Sequence, residues 1–172
     1  MGERQVKQGW VGRFFEDFEV GDVYRYPNGR TVTETDNAMF THLTMNTNPL
    51  HYDAERAKNT KWERILVNST FTLALVTGMS VQDVSQNAMA NLGWEDVKLP
   101  NPVFIGDTLY CETEVISKRE SRSYPNAGIV QVRSRGINQD GKVVIDFRRS
   151  VMIYKRDSAL GNGSFPEVSD DN

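Results

Sequence analysis

The sequence predicts an α+β fold in which an antiparallel sheet packs against one long buried helix. Residues 69–84 are apolar over most of a helical surface and carry no charge before Asp83. A helix that is apolar nearly all round is buried nearly all round. Downstream, residues 97–99, 108–117, 129–138 and 142–154 carry β-branched residues in alternation, the period-two pattern of strands with one face on a core. One helix followed by a run of strands places the helix on one face of a curled sheet.

Taken in order, residues 23–33 alternate weakly about Pro27-Asn28-Gly29, which predicts a hairpin. Thr35 or Asp36 is expected to cap a short helix with Ala38, Met39 and Leu43 on its apolar side. Glu34 and Asp36 fit a capping box there. Asp53 is expected to cap a second short helix through Ala57. Within the central helix Gly78 costs about 1 kcal/mol of propensity, so close packing is expected at that point. Residues 82–102 read as a loop whose Met89 and Trp94 line an acyl pocket or pack the core. The stretch 108–115 is expected at an apolar sheet edge that needs a partner or a cover. Gln139-Asp140-Gly141 is the turn of a tight hairpin. The strand after it alternates Val143, Ile145 and Phe147 with Val144, Asp146 and Arg148.

The domain is expected to span residues 14–156. Residues 1–13 form an N-terminal extension in which Trp10 and Val11 can pack. Residues 157–172, rich in Gly, Ser and Asp, read as a disordered tail. The 172 residues are 38% hydrophobic, enough for one real core. A net charge of −3 and a pI near 5.4 argue against a nucleic-acid partner, which would demand a basic face. The single cysteine, Cys111, forms no internal disulfide, suits a reducing compartment and is read as packing. No apolar run approaches a membrane span, and the N-terminal residues lack the apolar stretch of a secretory signal. Those features together predict a cytoplasmic protein without a membrane partner. No Cys/His cluster supports a metal, and no glycine-rich loop supports a nucleotide.

Two histidines occur. His42 lies in Phe40-Thr41-His42-Leu43, an ordinary helix face. His51 closes the polar run Asn46-Thr47-Asn48-Pro49-Leu50-His51, in which Pro49 holds Asn48 away from helical backbone. A fixed loop carrying a titratable ring at its end suits binding or catalysis; a turn whose asparagines cap local backbone groups explains the same residues. Arg56, Lys58, Lys61 and Arg64 fit either phosphate recognition or a solvated face. Arg119, Arg122, Arg133 and Arg135 are expected on the outer face of the sheet.

The run Asn48-Pro49-Leu50-His51-Tyr52-Asp53 resembles the D-x-N-P-L-H-x-D motif of the MaoC-like dehydratases, the (R)-specific enoyl-CoA hydratase family of the hotdog fold. Further similar stretches follow in the family's order. Residues 15–22 look like its opening strand, and Thr33-Glu34-Thr35-Asp36 resembles its first helix cap. Leu66-Val67-Asn68-Ser69 stands where it enters the central helix, and residues 102–109 resemble its P-V-x-x-G-D-T-L strand entry. The resemblance covers about 14–154.

It implies a hotdog fold and the reversible addition of water across the Cα=Cβ bond of an acyl thioester. Backbone N–H groups at the start of the central helix would polarise the thioester carbonyl. His51 matches the catalytic histidine. Asn46 stands where the family has aspartate, and asparagine accepts no proton, so its role would be to hold water through its amide or carbonyl. Ser69 stands where many members have the oxyanion-hole glycine; that role needs only a backbone N–H. Asn48, Asn68, Ser69 and Thr70 are the substrate-binding candidates, and coenzyme A enters as part of the substrate, with no cofactor and no metal. The subgroup resembled acts on branched dicarboxylic acyl-CoAs of the mesaconyl or itaconyl type, whose own carboxylate would compensate for the missing aspartate. A hotdog thioesterase, and an acyl-CoA-binding protein or partner subunit without turnover, are the alternatives. Family members pair through their sheets with the site at the interface, which implies a homodimer or an assembly of dimers.

Overall fold

The computed structural model describes residues 5, 7 and 9–158. Among the described residues the α-helices and strands follow in order: β1 (Val23–Arg25), β2 (Arg30–Thr31), α1 (Glu34–Leu43), α2 (Ala54–Lys58), α3 (Ser69–Met79), β3 (Ala88–Lys98), β4 (Thr108–Glu120), β5 (Ala127–Asn138) and β6 (Val143–Tyr154). The strands form one antiparallel sheet in the order β1-β4-β5-β6-β3, with β2 also on β4. The sheet curls around α3, the hotdog arrangement. Most of the tail read as disordered lies outside the described residues.

Packing of α3 against the sheet follows from the strand pattern. On β5 the residues Val130, Val132, Ser134, Gly136 and Asn138 alternate inward. At Gly136 helix and sheet approach closely: a Cβ there would stand 2.7 Å from methyls of both Val76 and Ile145. Val76, Met79, Leu109, Val144, Ile145 and Phe147 make the core between them. A second apolar cluster, including Phe15, Phe18, Val84 and Val130, fills the far end of the sheet.

Five expectations about the strands and α3 are corrected. Pro27-Asn28-Gly29 does not close a hairpin. β1 and β2 both lie along β4, with Val23 opposite Glu114 and Thr31 opposite Thr108, so they form one interrupted edge. The stretch 15–22 holds a short 3-10 turn at Phe15–Asp17, and the strand begins only at Val23. β4 is interior, flanked by β1 and β5; the edges of the sheet are β1 with β2 on one side and β3 on the other. Most of the supposed loop 82–102 is the edge strand β3, paired with β6 through several register shifts, and the bulges hide its alternation. Finally, α3 is not enclosed all round. Thr72, Val76 and Met79 are buried, whereas Ser69, Thr70, Ala74 and Gly78 are exposed, and nothing lies within 4 Å of a Cβ built on Gly78. The sheet of one chain covers only one side of the helix.

The short helices start as expected with one shift. The α1 cap is Thr33, whose hydroxyl accepts the Asp36 N–H, while Asp36 accepts the Thr33 N–H in return. Asp36 is held below its ordinary range: the hydrogen bonds from Thr33 and the Arg30 guanidinium outweigh the opposing effect of burial. The supposed apolar side of α1 faces outward, with Met39 and Leu43 exposed, and Asn37 and Thr41 face the core instead. Asp53 caps α2 by accepting the Arg56 N–H at 3.0 Å. Trp10 stays exposed, its indole N–H donating to the Gln82 carbonyl, and Arg13 packs over Tyr24 and pairs with Asp83.

Candidate active site

Residues 46–51 form a chain of local turns. Asn46 Oδ1 accepts the Asn48 N–H at 3.0 Å, and Asn48 Oδ1 accepts the Leu50 N–H at 3.1 Å, capping the 3-10 turn Pro49–His51. Pro49 donates no hydrogen bond at the first position of that turn, where none is needed. The turn carries His51 inward, so that it is only 8% exposed.

His51 is fixed from two sides. Its Nδ1 lies 2.8 Å from the Leu66 carbonyl. A carbonyl only accepts, so Nδ1 carries the proton, and Nε2 of the neutral ring is left with its lone pair. Its backbone carbonyl accepts from Asn37 Nδ2 at 2.7 Å. Asn37 Oδ1 then accepts the Asn68 N–H at 2.9 Å. One buried side chain on α1 therefore ties the histidine turn to the start of α3. The sequence reading passed over Asn37, since a polar residue on a short helix looks like a solvent-facing one. Its signal was the pair Asn37 and Thr41, polar and one turn apart on one face.

Asn68 is the N-cap of α3 and is 1% exposed. Its Oδ1 accepts both the Thr70 N–H at 3.0 Å and the Thr70 hydroxyl at 2.7 Å, and its Nδ2 donates to Thr41 Oγ1 at 3.3 Å. Asn68 and Thr70 thus shape the helix start rather than offering free side chains. The backbone N–H groups of Ser69 and Phe71 have no acceptor among the described residues. They point out of a helix N-terminus, the natural seat for negative charge.

A cleft of about 330 Å³ opens beside them, walled by Leu66, Val67, Ser69, Thr72, Val103 and Pro102 among others. A second hollow of about 430 Å³ runs along the exposed face of α3 between Thr70, Ala74, Thr77 and Trp94. The structure thus joins His51, Asn68, Ser69 and Thr70 through Leu66 and Asn37. Asn46 and Asn48 stay on the adjoining loop, with no hydrogen bond between Asn46 and His51.

The remaining candidates are quiet. His42 is exposed and leans on Tyr52. Burial pushes the Cys111 thiol up to about 11, so it stays protonated as packing requires. Arg133 and Arg135 pair on the sheet with Asp146 and Glu112. Arg149, which the sequence reading did not single out, is 1% exposed; burial pulls its guanidinium down to about 10, and its Nη2 donates to Ser80 Oγ at 3.0 Å beside the C-terminus of α3. No group of three or more metal-binding side chains occurs among the described residues.

The model of the MaoC-like domain matches residues 17–135. The chain belongs to the MaoC-like domain family. It is similar to the mesaconyl-CoA hydratase of Cereibacter sphaeroides, with 38% identity over 149 residues, which are 87% of this chain and 43% of that protein. With the β-methylmalyl-CoA dehydratase of Chloroflexus aurantiacus it shares 37% identity over 157 residues, 91% of this chain and 44% of that one. A solved MaoC-domain dehydratase structure from Chloroflexus aurantiacus superposes with a TM-score of 0.83 at 34% identity, covering 96% of this chain and 47% of that chain. This MaoC-like chain thus spans less than half the length of these relatives. No helix among its described residues is long and apolar enough to cross a membrane.

Proposed function

We propose that this MaoC-like chain hydrates an enoyl-CoA reversibly, and that its acyl group is a branched dicarboxylate of the mesaconyl type. The observation that carries this reading is the fixed tautomer of His51: the Leu66 carbonyl holds Nδ1–H, so Nε2 is the free base. The relatives named mesaconyl-CoA hydratase and β-methylmalyl-CoA dehydratase support the substrate class.

In the proposed reaction, Nε2 takes a proton from water as the oxygen bonds to Cβ. The Cα=Cβ electron pair shifts into an enolate whose oxygen is met by the free N–H groups of Ser69 and Phe71. The imidazolium then returns its proton to Cα and closes the cycle. Since Asn46 titrates no proton, one ring makes both transfers, which requires water's O and H to add from the same side. Asn46 orients the water through its amide, because its carbonyl oxygen is already engaged by Asn48. Asn48 borders the loop as a substrate contact. No cofactor takes part.

The exposed face of α3 supports a homodimer in which a second copy covers Ala74, Gly78 and the β3 edge; a cytoplasmic location belongs to the same reading.

Loss of enoyl-thioester absorbance on linear and methyl-branched dicarboxylic enoyl-CoAs tests the proposal. His51→Ala should lower kcat by about 10²–10⁴-fold, the usual worth of a positioned acid/base. Turnover that survives in His51→Ala, or release of free CoA without hydration, would overturn it. A second reading, a partner subunit that binds acyl-CoA without turnover, is favoured by one fact: an asparagine stands where the family resemblance expects an aspartate. Binding without turnover on every substrate would select it.

A further inference from the structure

The loop between α2 and α3 carries charge that the proposed chemistry at His51 leaves unused. In a chain of net charge −3, residues 55–64 hold four cations against two carboxylates. Lys58 is neutralised by Glu55 at 2.5 Å. Lys61 and Arg64 are exposed and have no carboxylate partner among the described residues.

Their groups are nevertheless held in place. The Lys61 ammonium sits 4.4 Å from the Trp62 ring centroid, and the Arg64 guanidinium 3.7 Å from that of Phe104. The two rings themselves meet edge-on at 6.1 Å. Cation–ring contacts leave the N–H donors of both cations free for an anion. The backbone beneath is fixed as well. Trp62 N–H donates to Thr60 Oγ1 at 3.2 Å, the Thr60 hydroxyl donates to the Ala57 carbonyl at 2.7 Å, and Glu63 adopts φ 57° to make the bend. A non-glycine residue at positive φ is strained and persists only where surrounding structure enforces it.

This loop opens onto the cleft already described. Lys61 and Trp62 line the 330 Å³ space together with Ser69, with Leu66, Val67, Val103 and Pro102 as apolar walls, while Arg64 lines another hollow with Lys58 and Ile105. A ligand that joins phosphates, a slim and largely apolar arm and a carbonyl matches that set of surfaces.

We infer that Lys61 and Arg64, braced on Trp62 and Phe104, bind the phosphates of the coenzyme A nucleotide, and that the pantetheine arm runs down the cleft to Ser69. The assignment rests on the enoyl-CoA reading, since it supplies the ligand. It makes the pair determinants of carrier choice: they select a thioester that bears the phosphorylated nucleotide over one that lacks it.

Two measurements on the full chain separate this inference from the hydratase reading. The first compares one enoyl group carried on CoA and on pantetheine, which has no nucleotide, for wild type and the Lys61→Ala/Arg64→Ala double variant. The double variant should raise KM for the CoA thioester about tenfold or more, the scale of lost hydrogen bonds to charged groups. KM for the pantetheine thioester should stay at its wild-type level, and Lys61→Arg with Arg64 intact should keep tight CoA binding. Equal KM values for both carriers in wild type, or equal losses on both in the double variant, would overturn the inference. So would a preference for the same acyl group on an acyl carrier protein. The second measurement is calorimetric binding of CoA itself, which decides the matter even if no thioester is turned over. Binding weakened about tenfold by the double variant supports the site; unchanged binding, or none in wild type, overturns it.

Discussion

Asn46 Oδ1 accepts the Asn48 backbone N–H, 3.0 Å away, so an aspartate at the same position would find that donor already in place. Asn46→Asp should therefore fold normally and add the second titrating group. Its kcat should rise about tenfold or more, and its pH–rate profile should gain a further limb, both read from initial rates across pH. Asn37 makes the opposite case. Replacing it with leucine strands the His51 carbonyl and the Asn68 N–H in the interior, and each orphaned group costs about 1–3 kcal/mol. Asn37→Leu should lower the urea midpoint by the equivalent of about 2–4 kcal/mol and cut kcat, because the histidine turn and the start of α3 lose their shared anchor. At this scale the site was half legible. His51 and Asn68 stand out because proline and helix-cap patterns are local in sequence. Asn37 and the Leu66 carbonyl do not, because hydrogen bonds across 14 and 15 residues leave no periodic mark.

Among the elements, α3 and β5 pack closely at Gly136. Gly136→Ala would push a methyl against Val76 and Ile145 at 2.7 Å, and overpacking of this kind costs about 1–3 kcal/mol. Thermal unfolding of that variant should show the loss. β1, β4 and β5 are also laced laterally by Glu112, which takes hydrogen bonds from Arg25 and Arg135. The Arg25 hydrogen bond, with that from Arg135, outweighs burial and holds the Glu112 carboxyl below its ordinary 4.5. A folded-state value below the unfolded one means the contribution is present above about pH 4.5 and fades as pH falls through the lower folded value. Because the arginine side chains are 80% and 40% exposed, removing Glu112 returns them to water, and the stake is only about 1 kcal/mol. Glu112→Gln should lose that amount at pH 7 and progressively less as pH falls below about 4.5, as denaturant titrations across that range would read. The alternating strands β4 to β6 were legible for the reason that governs all half-buried sheets: period two maps directly onto inside and outside. β3 was not, because its register slips break the period, and β1 and β2 were not, because two- and three-residue strands are too short to display one.

Across the whole molecule, the sequence reading overestimated how much of α3 a single chain encloses, and that error is informative. The residues on its open side, Thr70, Ala74 and Gly78, are one turn apart and small, which suits close approach of another apolar surface. Trp94 of β3 lines the hollow along that side and is 44% exposed, a large apolar side chain added to that surface. Light scattering should give twice the chain mass of 19.5 kDa, and Ala74→Glu should reduce it to the single value. Such a face is satisfied equally by a second molecule or by a second domain on the same chain, and relatives more than twice as long have room for the latter.

The exposed side of α3 also carries Ser69 and Thr70, next to the N–H groups that would meet the thioester oxygen. If the covering surface arrives as a separate molecule, the wall of the reaction chamber obeys mass action. Specific activity then falls on dilution, with a midpoint at the dissociation constant of the pair.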